Sequence, residues 1–202
     1  MKKTTLDTYI KRGLSDRKKR ILRFTEKGIE FDNSTFFEEK IELIKYSDIK
    51  AYRFGLEWIT GFYFTFGREY KVELKTIEND IIKLNFASYY GIKKIALAEK
   101  QKQILDALWE TFIEKKCLEN IENFNSSIDI KILNTKMSTA GVTIKKHLVP
   151  WNDVNLKEYY HYFVIYSSKD AENISQAYYY KLDWNSGILF STIKHILNNN
   201  QL

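Results

Sequence analysis

Between residues 21 and 86 apolar and polar side chains alternate: Tyr70, Val72 and Leu74 stand against Lys71, Glu73 and Lys75, and Ile82, Leu84 and Phe86 against Lys83 and Asn85. A period of two sends successive side chains to opposite faces, so these runs read as antiparallel strands with one buried face. Past Gly91 the period changes. Ile92, Ile95, Ile104, Leu105, Leu108 and Phe112 recur at helical spacing with Lys and Glu on the other face. The spacing predicts a helix over 94–116, its apolar stripe widened by Trp109 and its last-turn Lys115 and Lys116 suited to the helix dipole.

Turn signals divide the strands. Glu26-Lys27-Gly28 separates strands expected over 21–25 and 29–32, and further strands are expected over 41–46, 62–66, 70–75 and 81–86. After a polar bridge over 119–127, strand patterns resume over 128–133, 142–145, 154–156, 162–166 and 176–184. A closing helix is expected with Asn185 or Ser186 as its cap and Ile188, Leu189, Ile193, Ile196 and Leu197 as its stripe.

The chain has 202 residues, 44% hydrophobic and 29% charged, the profile of a folded protein of one large or two small domains. No run approaches the roughly 20 apolar residues of a bilayer span, and no apolar segment follows Lys2 and Lys3. Neither a membrane span nor a secretory signal is expected. Cys117, alone of its kind, has no partner for a disulfide, which suits a reducing, cytoplasmic setting. The net charge of +6 is unevenly placed: residues 1–23 hold nine basic side chains against two acidic, leaving the other 179 residues at −1. The run Arg17, Lys18, Lys19 and Arg20 is the densest part of this N-terminal segment (1–20). It suits anionic lipid or nucleic acid, or a solvated leader with a short helix over 6–14. The near-neutral remainder argues against a dedicated nucleic-acid domain.

Two halves share an order. Thr25, Gly28 and Ile29 match Ser138, Gly141 and Val142, and Tyr46-Ser47-Asp48-Ile49 matches Trp151-Asn152-Asp153-Val154. The offsets are 113 and 105 residues, and each half closes with a helix, which points to an internal duplication. Gly28 and Gly141 suit the positive φ of hairpin turns. Asp48 and Asp153 suit corners shaped by bonds to backbone N–H groups, with Tyr46 and Trp151 burying a ring beside them. The turn Gly, the aromatic-x-Asp-aliphatic strand start, the β meander and the closing helix resemble the bacterial pleckstrin-homology-like family. That resemblance implies a mainly β fold of two tandem antiparallel barrels, each closed by a C-terminal helix. Module 1 would span 21–117, the polar bridge 118–127 and module 2 residues 128–202; the 75-residue second copy shows fewer clear strands and reads as incomplete. The resemblance implies a binding scaffold and carries over no catalytic residue.

Chemical motifs are sparse. His147, His161 and His195 lack metal-ligand spacing, and no nucleophile elbow, P-loop or dinucleotide turn occurs. Cys117 beside Lys115 and Lys116 reads as a bystander thiol. No cofactor, metal or catalytic residue is expected. Aromatic residues are the unusual feature, with 14 Tyr, 13 Phe and 4 Trp. Alternation exposes at least one ring in each of the clusters Tyr159, Tyr160 and Tyr178, Tyr179, Tyr180. The expectation is a non-enzymatic protein-interaction module binding through a strand edge or these tyrosines. Attachment to an anionic membrane or to nucleic acid through Arg17, Lys18, Lys19 and Arg20 is the alternative.

Overall fold

The structure is a computed structural model that describes residues 6–11, 18–34, 40–61 and 63–199. It divides into two compact units, Met1–Phe112 and Ile113–Leu202.

Unit 1 opens with an antiparallel meander of β1 (Asp7–Ile10), β2 (Arg20–Phe24), β3 (Ile29–Asp32) and β4 (Ile41–Ile44). Residues 7–10, expected within a short helix, are a strand instead. Ile10 is buried, and Arg23 on β2 holds β1 by donating to Asp7 at 3.0 Å. The second sheet is built on β5 (Ile49–Gly61) and β6 (Phe64–Thr76), a hairpin of two 13-residue strands. The sequence pattern marks a strand start at Ile49 but gives β5 no extent, because charged residues interrupt its alternation. They pair across the ladder: Arg53 donates to Glu73 at 2.7 Å, and Glu57 pairs with Lys71. A register shift between Ile49 and Ala51 also breaks the alternation.

The strand expected over 81–86 is two strands, β7 (Ile81–Lys83) and β8 (Phe86–Tyr89), both paired with β6. Asn85 divides them by offering its side-chain oxygen to the Val72 N–H at 3.2 Å, where a strand would offer its backbone. Helix α1 (Lys94–Leu108) covers the hairpin, and Gln101 on it donates to the carbonyls of Gly55 and Lys71 at 2.9 and 3.0 Å. Tyr70, Val72, Leu74, Phe86, Ile104 and Leu108 form the center of this core.

The helix expected over 94–116 continues differently. A π turn (Trp109–Ile113) follows α1, and α2 (Glu114–Asn125) follows the turn, so Lys115 and Lys116 begin a helix instead of ending one. Trp109 is 39% exposed and anchors no core. Residues 118–125 of the expected bridge are helical, with Cys117 buried and Ile121 and Phe124 half-buried along one face.

Unit 2 has a meander of β9 (Ile130–Ile132), β10 (Thr135–Ser138), β11 (Gly141–Ile144) and β12 (His147–Val149). A second sheet follows, with β13 (Val154–Glu158), β14 (Tyr162–Ser167) and β15 (Ser175–Tyr179), and then helix α3 (Ser186–Asn199). Seven strands and a helix make this half fuller than the incomplete copy expected. Phe163, Ile165, Met137, Val142, Leu189 and Ile193 are its buried center.

The expectation of two closed barrels is overturned. The described strands form four separate sheets, none closed into a barrel. Closure needs ladder bonds between the edges of different sheets, and among the described residues no strand of one sheet pairs with a strand of another. At the corners β4 leads into a 3₁₀ turn at Tyr46–Asp48 and β12 into one at Trp151–Asp153, where the Asp48 N–H donates to the Lys45 carbonyl at 3.0 Å and the Asp153 N–H to the Pro150 carbonyl at 2.8 Å. Both aspartates shape their corners through backbone groups. Their carboxylates accept from Ser47 and Lys169, not from backbone N–H groups as expected.

Candidate functional site

The basic run does not form a free arm. Arg17 lies outside the described residues. The Arg20 side chain is buried, donates to the Ser34 carbonyl and lies 4.0 Å from Asp32. Lys18 also lies 4.0 Å from Asp32. Burial pushes the Asp32 carboxyl up, and bonds from Ser34 with the charges of Lys18 and Arg20 outweigh it, leaving the group below its ordinary value. Lys19 alone of the described three is exposed, and it lines a cleft with Lys11, Lys93 and Lys100.

The five tyrosines separate by exposure: Tyr178 and Tyr179 lie on β15 with opposite parity, Tyr180 just follows it, and Tyr159 and Tyr160 lie between β13 and β14. Tyr178 and Tyr180 point inward and are buried. Tyr159, Tyr160 and Tyr179 are 39%, 82% and 43% exposed. Tyr178 donates to Asn134 Oδ1 at 2.9 Å and meets the Thr135 hydroxyl, and burial raises its phenol above the ordinary value. Tyr180 donates to Glu158 at 3.1 Å, and burial followed by the Glu158 charge raises it likewise. On the outer face Tyr159 stacks on Tyr162 with centroids 4.7 Å apart, Tyr162 meets Tyr179 at 5.2 Å, and the Lys157 ammonium sits 5.2 Å over Tyr159. Half-buried Val164 and Ala177, cross-strand partners, continue this face.

Sequence reasoning did not find the groove beside this sheet. Among the described residues strand β13 is paired on one side only, to β14. Along its other side runs a groove of about 280 Å³, lined by Val154, Asn155, Leu156 and Glu158 of β13 and by Phe190, Lys194, Leu197 and Asn198 of α3. Of its apolar lining on α3, Leu197 belongs to the stripe expected for the closing helix and Phe190 does not. What they flank was not legible, because strand order is a long-range property. An unpaired edge presents a row of N–H and C=O groups, and the groove adds apolar surface beside them.

Cys117 is buried, and that burial pushes its thiol up to about 11, opposite to an activated nucleophile. All three histidines are exposed, and His195 bonds Asn199 at 2.8 Å on α3. Among the described residues no three His, Cys, Asp or Glu side chains are placed to hold a metal ion, and no helix is long and apolar enough to cross a membrane. No protein-family model matches the chain, and no curated protein matches it.

Proposed function

We propose that this chain is a non-enzymatic, cytoplasmic protein-binding module that takes an extended segment of a partner protein along the free edge of β13. The observation that carries the reading is a strand edge, unpaired among the described residues, lying beside a groove of about 280 Å³ under α3 in which Phe190 and Leu197 stand among polar groups such as Asn155, Glu158 and Lys194. An added strand alternates its side chains between two faces. One set enters the groove against Phe190 and Leu197. The other set lies on the Lys157 and Tyr159 side, where the ladder of Tyr159, Tyr162 and Tyr179 widens the contact. Main-chain bonds supply affinity in such a mode, and the groove supplies specificity.

Each unit runs through a four-stranded meander, a 3₁₀ corner, a second meander and a helix. This repeated order supports kinship of both units with the pleckstrin-homology-like family, in an open-sheet form. The alternative through the basic run has weaker support, since Lys18 and Arg20 face Asp32.

The test is affinity capture from native lysate with the full chain and with Leu197→Asp, at low and high salt. Capture of one protein that survives high salt and is lost with Leu197→Asp supports the reading. Recovery of lipid or nucleic acid alone, lost at high salt, overturns it, as does capture indifferent to the substitution.

A further inference from the structure

Unit 1 holds a second concave surface, unrelated to the β13 edge. It is a cleft of about 420 Å³ between β1, β8 and the start of α1. Its apolar floor is Ile10, Phe86 and Leu97, and two rings, Tyr9 and Tyr89, stand at its sides. Four lysines, Lys11, Lys19, Lys93 and Lys100, come to it from three separate stretches of chain, and no carboxylate lines it among the described residues. Like charges gathered with no carboxylate among the described lining residues repel one another, and an anion entering the cleft relieves that repulsion.

The cleft is also held in place. The loop that carries Lys93 turns through left-handed backbone at Tyr90, Gly91 and Lys93, with φ of 51°, 73° and 59°. Two buried residues hold this loop from below: the Ser88 hydroxyl donates to the Ile92 carbonyl, and the Tyr70 hydroxyl to the Lys94 carbonyl, both at 2.8 Å. Lys93 therefore stands between two anchored peptide groups. Across the cleft Lys100 donates to the Tyr9 carbonyl and ties α1 to β1. Burial, and Lys93 beside it, lower the Lys100 ammonium from its ordinary value, which an incoming anion would reverse. Side chains positioned before the ligand arrives lose little freedom on binding.

The geometry points to a binding site for a nucleotide-class ligand, a polyphosphate carried on a flat ring, with the phosphates among the four lysines and the ring against Tyr9 and Tyr89. Four cations without a carboxylate match a multiply charged phosphate better than a single carboxylate. The volume lies within the range of small-ligand pockets, and an apolar floor with few placed polar groups is their usual lining.

Calorimetric titration of the full chain tests this with three probes: ATP, tripolyphosphate and adenosine. Saturable binding of ATP is expected at one site per chain, about tenfold or more tighter than either fragment. Lys19→Ala and Lys93→Asn should each weaken ATP by several-fold; both lysines are exposed, and Asn accepts the left-handed backbone at 93. Tyr9→Ala should weaken ATP while leaving tripolyphosphate unchanged. Lys157→Ala, in unit 2, should leave all three titrations as they were. Equal binding of ATP and tripolyphosphate, unmoved by Lys93→Asn, would overturn the site, and so would binding to phosphatidylserine vesicles without binding to ATP.

Discussion

The Trp151 indole N–H donates to the Ser138 carbonyl at 2.8 Å, pinning the corner of unit 2 to the hairpin that carries Gly141. Tyr46 does the same in unit 1, donating to the Thr25 carbonyl at 2.9 Å, three residues before Gly28. Two different rings thus make one bond at matching places. Trp151→Phe should destabilise the protein by about 1–3 kcal/mol, through the lost bond and the space left beside Phe124. Tyr46→Phe should cost about 1 kcal/mol. Denaturant unfolding checks both, with Trp109→Phe, at an exposed ring, expected within about 0.5 kcal/mol of the parent.

Gly28 and Gly141 take φ of 155° and 152°, and a Cβ on either would land on a carbonyl oxygen, that of Ile44 or that of Val149. Backbone, unlike a side-chain tip, has nowhere to move. Alanine at either position should cost about 2–5 kcal/mol, from strain and overlap together. Gly91, at φ 73° with open space around it, makes the comparison: Gly91→Ala should cost only about 1–2 kcal/mol. Equal losses at all three positions in thermal melts would contradict this account of the turns.

The Cys117 thiol should resist alkylation at pH 8 until the protein opens, and react fully in denaturant. Its raised value favors the neutral form in the fold. The associated stability is therefore complete below about 9 and is lost as pH rises toward 11. Rapid labeling of the folded chain would show that the burial of α2 is wrong.

Asp32 titrates in the opposite sense. Its folded value is depressed, so it contributes stability above the ordinary carboxylate range that is lost as pH falls through that lowered value. Asp32→Asn should flatten the acid limb of the stability curve. An unchanged limb would mean that Lys18, Arg20 and Ser34 do not hold the carboxylate.

Much of the fold was legible where one face of an element is buried and the other wet. Strand β3, helix α3 and the parity that sets Tyr178 and Tyr179 on opposite faces of β15 follow directly from local periodicity. Periodicity failed where tertiary partners override it. The charges of Arg53 and Glu57 obscure the extent of β5 because the partners that hold them, Glu73 and Lys71, lie on β6. The face of Cys117, Ile121 and Phe124 was hidden by the acids and asparagines between them, and Asn85 breaks a strand only because its side chain reaches Val72. Barrel closure was out of reach for the same reason, since whether sheets join depends on bonds between distant edges. Of the candidate sites, the exposed tyrosines were legible; the β13 groove and the lysine cleft each gather residues from separate elements and leave no local signature.

The most direct measurement is amide hydrogen exchange on the full chain, alone and with its captured protein partner. Binding along the free edge should slow exchange at the outward-facing amides of Val154–Glu158, with smaller changes on α3 from Phe190 to Asn198. A bound partner that leaves the amides of β13 exchanging as they do in the free chain would contradict the proposed mode of binding.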